Sequence, residues 1–436
     1  MLRSLAAVMI LGSMGQPALA HGIWGHVHVT GWAVENIPDD ELRQFLLEPE
    51  VFNALLFGAV FTDTGYARDD PASRAYSEHT HWEPFIEDFV EWIRVNDPPP
   101  WNTVESRKRV AFLMGCASHG LQDSIFDSLF LHQVEERDGA GQDATDPGTD
   151  GFLVVDGHIR FVPTEDIPLE TVLELYAGLP EEVTAKVIED SVGLTTAAYV
   201  NDEIGLGVAA GFADRFGPQM PWGRAHYLDP DVPGSLRAEI FPTMRYQQSI
   251  WARLHGEFDA NDVGVFAFPE PSRRLRSYDA QTTDSWVTLI FGAGIRYEGD
   301  LLELLDAQGN PVPFQQAGNR WGNSTTRLLR ILPEQDLQPG GFYTARMRAE
   351  AELISGDTTT ETWEVGFQVA CASPDDAACV NLVAPRVASI SGIVEQEPPA
   401  EPCACNGGPS SGWMAATLAF FSLRRRRDYR SRTPSM

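Results

Sequence analysis

Apolar residues recur at helical spacing from residue 21 to about residue 260. The longest such run begins at Thr103 and reaches about His132 with no proline or turn cluster inside it, and Asn102 is expected to cap it. The run is apolar on most of its sides, at Val110, Leu113, Met114, Ala117, Leu121, Ile125, Leu129 and Phe130. A helix of that kind lies in the middle of a bundle. With further helical runs at 82–96, 169–179, 181–199 and 235–258, the pattern predicts an all-α helical bundle over residues 21–262.

The pattern changes to short alternating strands after about residue 263. Residues 285–291 are rich in β-branched and aromatic side chains, and Trp363, Val365, Phe367 and Val369 alternate with smaller or polar residues. Segments 306–312 and 339–341 contain the glycines and prolines of hairpin turns. These features predict an all-β immunoglobulin-like sandwich over residues 263–372. It resembles bacterial immunoglobulin-like modules attached to secreted enzymes, which implies a spacing or adhesion role.

The N-terminal segment has the pattern of a secretory signal peptide over residues 1–20. Arg3 provides the charged start, residues 5–11 are apolar, and Ala18-Leu19-Ala20 forms a small-x-small cleavage site. Cleavage there would make His21 the first residue of the mature chain. The alternative is that this stretch is a short hydrophobic helix of the domain.

The C-terminal segment combines a linker, residues 373–402, with a tail, residues 403–436. The tail begins with Cys403 and Cys405, continues with an apolar run at 413–423, and ends with an arginine cluster at 424–427. The run is too short to span a bilayer stably. The combination resembles the surface-sorting tails of myxobacterial proteins, which implies display at the cell surface. A disordered tail weakly attracted to membranes is the alternative.

Composition narrows the class of protein. The 436 residues suggest two or three domains, and 62 acids against 32 bases give a net charge of −30. Such an acidic chain is not expected to bind nucleic acid, because non-specific binding depends on Lys and Arg facing phosphate. No apolar run reaches the length of a spanning helix, which excludes a polytopic membrane protein. Cys371 and Cys379 could form a small disulfide, as suits an exported protein, whereas Cys116 is expected to be a buried small hydrophobe.

Histidines cluster in the predicted helical part. Seven of the ten lie there up to residue 132: His21, His26, His28, His79, His81, His119 and His132. His119 and Asp123 are four residues apart on the central helix, so their side chains share a face, and Asp127 extends the same stripe. Histidine and carboxylate side chains on one face are ligands for zinc. An internal hydrogen-bonded seam remains the alternative, since such buried groups need partners.

Three further segments contain residues of the same ligand types. The amine and carbonyl of a mature His21 could chelate a metal, and His26 follows five residues later. Asp63 ends the apolar stretch 58–63, and His81 opens the run His-Trp-Glu-Pro-Phe. Taken singly, each has an ordinary interpretation as a polar N-terminus, a cap or a packing residue.

The order of these segments resembles the zinc-dependent phospholipase C and P1-nuclease superfamily. It is most similar to the catalytic domain of glycosylphosphatidylinositol-specific phospholipase D, through segments 58–63, 81–85, 111–119 and 167–176. The resemblance covers about residues 21–200. It implies that His21 and His26 bind one zinc ion, and that Asp63, His81, His119 and Asp123 bind a second, with Asp123 shared. Asp63 is then the residue that orients or deprotonates the attacking water.

A third metal site of this family has two histidines and an acid, and here the chain departs from the pattern. Asp127, Asp146 and Asp150 stand at the positions that align. Three carboxylates suit Ca²⁺ or Mg²⁺ better than Zn²⁺, so this site is expected to hold another metal or none, with His132 or His158 as alternative ligands. Pro147 and Gly148 favour a solvated loop over 143–150.

The leading hypothesis is therefore a secreted or surface-displayed, metal-dependent phosphoric diester hydrolase. It would be a zinc-dependent phospholipase of C or D type, acting on phospholipid or glycosylphosphatidylinositol head groups at a membrane surface. Two alternatives stay open: a P1-type single-strand nuclease, which would use the same metal chemistry, and a non-catalytic surface binding or adhesion protein.

Overall fold

A computed structural model describes residues 22–38, 40–197, 202–258, 266–268, 274–296, 299–320, 325–347, 351–359 and 363–373. The signal segment, His21, Cys379, the linker beyond residue 373 and the tail lie outside the described residues. Cys371 is disulfide-bonded, and Cys116 is a buried free cysteine.

The N-terminal part is helical, as the apolar spacing predicts. In chain order the helices are α1 (Ile23–Asn36), α2 (Glu41–Leu46), α3 (Pro49–Phe61), α4 (Pro71–His81), α5 (Glu83–Asn96), α6 (Val104–Ile125), α7 (Leu131–Asp138), α8 (Gln142–Val155), α9 (Leu169–Leu175), α10 (Ala185–Thr195), α11 (Asp202–Phe216), α12 (Pro221–His226) and α13 (Ile240–Leu254). Short 3₁₀ turns lie at Thr64–Ala67 and Gly217–Gln219, and a π-helical segment, Phe126–Phe130, joins α6 to α7.

The central helix α6 is buried from Val110 to its end, which fits a sequence that is apolar on most sides. Its N-cap is Thr103, whose side chain accepts a hydrogen bond from the backbone N–H of Ser106. The expected cap at Asn102 was therefore wrong by one residue. Thr103 has the extended backbone conformation of an N-cap, so its hydroxyl and not the Asn102 amide reaches the free N–H groups of the first turn.

The expected loop over residues 143–150 was also wrong, because this segment belongs to α8. Pro147 lies inside the helix and costs it one backbone hydrogen bond. Packing offsets that cost: Gly151 lies so close to α11 that an added Cβ would be 2.5 Å from the carbonyl oxygen of Ala209. Tertiary packing thus overrides a local signal for a loop.

The C-terminal part forms two four-stranded sheets. The strands are β1 (Phe266–Phe268), β2 (Arg274–Leu275), β3 (Val287–Arg296), β4 (Leu302–Asp306), β5 (Phe314–Ala317), β6 (Thr325–Pro333), β7 (Phe342–Met347) and β8 (Trp363–Val369). The first sheet has the order β1-β3-β6-β5 and the second β2-β8-β7-β4. Pairing is antiparallel except between β2 and β8.

The turn at residues 306–312 closes a short hairpin, in which Leu305 forms an antiparallel bridge with Pro311 and the Val312 N–H donates to the Leu304 carbonyl at 2.8 Å. Gly309 has a φ of 81°, and its N–H bonds to the carbonyl of Asp306. The chain then leaves the second sheet and enters the first, since β4 pairs with β7 whereas β5 pairs with β6. The turn at 339–341 instead joins β6 in one sheet to β7 in the other. Turn chemistry is local, whereas the choice of partner strand depends on which side chains meet across the core.

The first sheet is buried on both faces. Leu289 and Leu329 lie in the core between the two sheets, whereas their neighbours Ile290 and Leu328 belong to the same core as α6 and α13. Alternating side chains of a strand point to opposite faces, so this sheet is the layer shared by the helical and β-rich parts. The two parts pack as one compact unit.

Candidate metal centre

The centre is built on α6, where His119 and Asp123 are one helical turn apart. Both side chains are buried, and His119 Nε2 lies 3.3 Å from Asp123 Oδ2. The four-residue spacing puts them on one face. An apolar helix carrying this pair brings two potential ligands into the interior of the bundle.

Two further side chains reach the same point from the ends of neighbouring helices. Asp63 follows α3, and His81 is the last residue of α4. His81 Nε2 lies 3.3 Å from Asp63 Oδ1 and 3.2 Å from His119 Nε2. The ligand atoms of Asp63, His81 and His119 all lie within 4.8 Å of one another, as a shared ion requires.

His26 on α1 completes a second group with His119 and Asp123. Its Nε2 atom lies 3.1 Å from Asp123 Oδ1, and its ring stacks on that of His119 with the centroids 3.5 Å apart. The two oxygens of Asp123 therefore face different histidines: Oδ1 faces His26, and Oδ2 faces His81 and His119. A carboxylate in this position can bridge two metal ions.

The opposite ring nitrogen of each histidine has an oxygen partner. His26 Nδ1 lies 3.0 Å from Gln122 Oε1, His81 Nδ1 lies 2.7 Å from the Ser77 carbonyl, and His119 Nδ1 lies 2.7 Å from the Ala59 carbonyl. Carbonyl oxygens accept hydrogen bonds, so Nδ1 donates in each ring and Nε2 faces the centre. This arrangement fixes the orientation of metal-binding histidines.

The buried charges of the centre favour binding of a cation. Burial alone would lower the pKa of His119, but Asp123 and Asp63 raise it to about 10. Burial alone would raise the pKa of Asp63, and the positive charge of His119 instead lowers it. Both oxygens of Asp63 are buried, and Oδ1 lies 3.3 Å from His81 Nε2 and 3.6 Å from His119 Nε2. Buried carboxylate oxygens and imidazole nitrogens that face one another fit the nitrogen and oxygen ligands that zinc takes.

More acidic side chains are buried beside this centre. Asp127 lies on the π-helical segment, and Asp146 and Asp150 lie on α8. Burial, followed by the charges of Asp127 and Asp123, raises the pKa of Asp146 well above its usual range. Glu239, just before α13, is a further buried carboxyl group whose pKa is raised by burial and by Asp123 and Asp127. Sequence reasoning missed Glu239, since an isolated glutamate has no diagnostic spacing.

The residues expected at a third metal site do not form a third compact ligand group among the described residues. Asp150 instead accepts hydrogen bonds from the backbone N–H groups of Trp24 at 3.1 Å and Gly25 at 2.8 Å. It thereby caps the N-terminal end of α1, where backbone N–H groups favour a negative charge. Burial raises the pKa of Asp150 to about 7, and these two N–H groups oppose that rise.

The alternative ligands His132 and His158 are not among the residues of the two ligand groups. His132 packs on Trp286 of the β-rich part, with ring centroids 5.2 Å apart. His158 follows α8, and its backbone N–H bonds to the carbonyl of Leu153. Neither histidine therefore replaces a missing ligand at the carboxylate group.

Two aromatic side chains lie beside His81 and are partly exposed, Tyr66 and Trp82. The Tyr66 hydroxyl and the Trp82 indole N–H both donate to Glu78, at 2.8 and 3.0 Å. The ring centroids of Tyr66 and His81 are 5.5 Å apart. These contacts hold the rings of Tyr66 and Trp82 next to the metal-binding side chains.

Comparison with known proteins agrees with this geometry. A family model described as zinc dependent phospholipase C matches residues 25–159. These residues are therefore similar to the zinc-dependent phospholipase C family. The matched range contains His26, Asp63, His81, His119, Asp123, Asp127, Asp146 and Asp150. The match to a family described as zinc dependent, together with the two ligand groups, supports zinc as the metal.

Curated proteins similar to part of this chain are phosphatidylinositol-glycan-specific phospholipases D. The protein from Bos taurus is 33% identical over 132 residues, which cover 29% of this chain and 15% of the relative. The protein from Homo sapiens is 34% identical over 132 residues, with the same coverage. The chain thus spans about 15% of the length of these relatives.

A solved structure with some likeness to the chain is that of surface layer protein SbsC, domains 1–6. The two sequences are 10% identical, and the matched region covers 73% of this chain and 46% of the SbsC chain. The TM-score is 0.19, which is too low to support a shared fold. Among the helices that the structure describes, none is both long and apolar enough to cross a membrane.

Proposed function

We propose that this protein is a zinc-dependent phosphodiesterase that hydrolyses the head group of a phospholipid or of a glycosylphosphatidylinositol. The observation that carries the proposal is the convergence of three imidazole Nε2 atoms on the two oxygens of Asp123. The names of the curated relatives support a glycosylated phosphoinositide as the substrate class. The proposal covers hydrolysis on either side of the phosphorus atom.

Two zinc ions would be held by this chain's own residues. His26 would bind one, together with the amine and carbonyl of His21 in a mature chain, and Asp63, His81 and His119 would bind the other. Asp123 would be shared between them. When bound, zinc supplies a lowered pKa for a coordinated water and neutralises charge on the phosphoryl oxygens.

The protein residues orient the reacting groups. Asp63 would orient an attacking water or accept its proton. The Nδ1 contacts to Gln122 and to the Ser77 and Ala59 carbonyls keep the imidazoles in one orientation. Because these contacts are made within the protein, little reorganisation is needed when substrate arrives.

The neighbouring carboxyl groups would hold a harder cation than zinc. Asp127 and Asp146 are fully or nearly fully buried, and Asp146 Oδ1 has no hydrogen-bond partner within the described ranges. Oxygen-only ligand sets favour Ca²⁺ or Mg²⁺. We therefore propose that a third ion, if one binds here, is one of these, and that Asp150 acts mainly by capping α1.

We also propose export and surface display. The signal-like segment 1–20 and the cysteine–apolar–arginine tail at 403–436 support this interpretation. The two packed sheets would be an immunoglobulin-like sandwich, consistent with their shared apolar core. The partly exposed Tyr66 and Trp82 would face the lipid head group at the surface of a membrane.

The decisive experiment counts metal and measures hydrolysis on the same sample of secreted protein. N-terminal sequencing should begin at His21, elemental analysis should find two zinc ions per chain, and vesicles containing phospholipid or glycosylphosphatidylinositol should release phosphorylated head group. Chelation should abolish release and added zinc should restore it. His119→Ala should lower the rate by at least about 100-fold.

The control is His226→Ala. His226 is partly exposed, pairs with Asp229 at 3.2 Å, and belongs to neither ligand group, so the variant should keep its zinc and its activity. Rapid cleavage of single-stranded DNA with intact vesicles would favour a P1-type nuclease. Fewer than one zinc ion per chain, with no hydrolysis, would favour a binding or adhesion protein and overturn the proposal.

A further inference from the structure

A strand of the β-rich part places one arginine deep inside the helical part. Arg327, on β6, is fully buried. Its Nε donates to Glu83 Oε1 at 3.1 Å, and one terminal nitrogen donates to the carbonyl of Ala117 at 3.2 Å. Its guanidinium also lies over the ring of Tyr246, 4.7 Å from the centroid. The arginine therefore connects three helices of the bundle, α5, α6 and α13.

The partners of Arg327 adjoin two of the metal-binding histidines. Glu83 is two residues after His81, at the first turn of α5. Ala117 is two residues before His119, on α6. The side chain thus joins the backbone segments that present these two imidazoles, whose Nε2 atoms are 3.2 Å apart.

The same two segments touch directly at Gly120, next to the arginine. A Cβ added at Gly120 would lie 2.3 Å from the carbonyl oxygen of His81 and 3.3 Å from the second terminal nitrogen of Arg327. Glycine is thus needed where the end of α4 meets α6. The guanidinium of Arg327 therefore lies next to the point where these two segments meet.

The strand is irregular where Arg327 leaves it. Ile290 pairs with Leu328 and Ile295 pairs with Thr326, so four residues of β3 face the single residue Arg327 of β6. Irregularities of this kind redirect a side chain. Gly294 lies within the same stretch, and a Cβ there would come within 2.9 Å of the Glu83 side chain, so the bulged strand leaves room for the ion pair.

We propose that Arg327 is a positioning residue that fixes the spacing of His81 and His119, so that the β-rich part completes the metal centre. The inference rests on the proposed zinc site. A buried ion pair is weak evidence for a purely stabilising role, because desolvation offsets much of its attraction. The guanidinium donates from two different nitrogens, one to Glu83 and one to the Ala117 carbonyl, and this fixed planar geometry can hold the two segments relative to each other.

The test removes both charges together, because deleting one partner alone would leave an uncompensated buried charge. The variant Arg327→Met/Glu83→Gln in the full chain should fold, with an unfolding midpoint close to that of the parent when both are zinc-free. Its affinity for zinc, measured by competition with a chromophoric chelator, should fall by about tenfold, at the lower end of the usual effect of groups that orient metal ligands.

The matched control is Arg137→Met/Asp284→Asn, which removes another ion pair between the helical and β-rich parts. Arg137 lies on α7 and is not joined to either histidine segment. This variant should keep the parental zinc affinity. An equal loss of affinity in both variants would show a general effect of the interface and overturn the proposal.

A second variant, Arg327→Lys, tests the proposal even if the double variant does not fold. Arg327→Lys keeps the charge beside Glu83, but a single nitrogen cannot donate to Glu83 and Ala117 in the geometry of the guanidinium. It should fold and bind zinc more weakly than the parent. Parental zinc affinity in a folded variant would overturn the role of Arg327, whereas a parent that binds no zinc would overturn the proposed function itself.

Discussion

At the scale of single residues, the centre depends on groups that do not contact a metal themselves. Gln122 lies beside His26 and also donates to Thr30 at 3.0 Å, so its amide is held with the oxygen towards the imidazole. The Ser77 and Ala59 carbonyls serve the other two histidines. The orientation of the metal-binding histidines is thereby built into the hydrogen bonding of the bundle.

At this scale we predict how His132 makes the free energy of unfolding depend on pH. Burial, followed by the charges of Arg330 and Arg320, lowers its pKa to about 4, and Glu135 opposes the shift only in part. Its contribution to stability is present above pH 6.5, the usual value for histidine, and is lost as the pH falls towards 4, because the unfolded chain takes up the proton first. The loss should be about 1–2 kcal/mol, allowing for a side chain that is 31% exposed.

The measurement compares free energies of unfolding at pH 7 and pH 5, with chelator present so that metal release does not contribute. His132→Gln should unfold with a smaller difference between the two pH values than the parent does. An unchanged difference would contradict the predicted state of His132.

The residues that sequence reasoning could find were those with a diagnostic type and spacing. The histidines and the aspartates at 63 and 123 follow a family order, and the structure brings all of them that it describes, His26, Asp63, His81, His119 and Asp123, to one point. Glu239 and Arg327 could not be found in this way. They act through contacts between segments far apart in the chain, and a single glutamate or arginine gives no local signal.

At the scale of elements, the contact between α3 and α6 determines where His119 lies. An added Cβ at Gly115 would be 2.1 Å from the carbonyl oxygen of Leu55, and one at Gly58 would be 2.4 Å from that of Phe112. The helices can approach this closely only with glycine on both sides. The same approach lets His119 Nδ1 reach the Ala59 carbonyl.

Gly115→Ala is therefore expected to push these helices apart. Overpacking should lower the free energy of unfolding by about 1–3 kcal/mol, and the affinity for zinc should fall because His119 loses its fixed orientation. The control is Gly193→Ala on α10, where no heavy atom lies within 4 Å of the added Cβ. That exchange should be neutral or stabilise by up to about 1 kcal/mol. Equal effects in urea unfolding would contradict this interpretation of the helix contact.

Sequence patterns predicted the long central helix and the strands around 287–291 and 363–369. In these elements the apolar residues recur at the spacing of a helix or of a strand. The patterns failed at α8 and at the turn over 339–341, which joins strands of two different sheets. Pro147 and Gly148 indicate a loop locally, and only the packing against α11 makes this segment helical. Turn residues likewise indicate that the chain reverses, but they do not determine the sheet it enters next.

At the scale of the whole molecule, the first sheet joins two parts that the sequence suggested were separate. Ile290 and Leu328 pack with the helices, and Leu289 and Leu329 pack with the second sheet. A strand that is apolar on both faces looks the same in sequence whether its second face meets a helix layer or another sheet. The shared layer could therefore not be read from the pattern alone.

This shared layer predicts that the protein unfolds in one cooperative transition. Leu289→Ala removes a side chain from the core between the sheets and should lower the free energy of unfolding by about 2–5 kcal/mol. Because Leu289 and Ile290 are adjacent on β3, loss of the sheet also removes apolar contacts from the helical core. The midpoint followed by helical circular dichroism should consequently shift as much as the midpoint at which the amides of β6 and β8 lose protection from hydrogen exchange. If the helical signal kept the parental midpoint while the strand amides lost protection earlier, the helical and β-rich parts would be independent folding units and the shared core would not couple them.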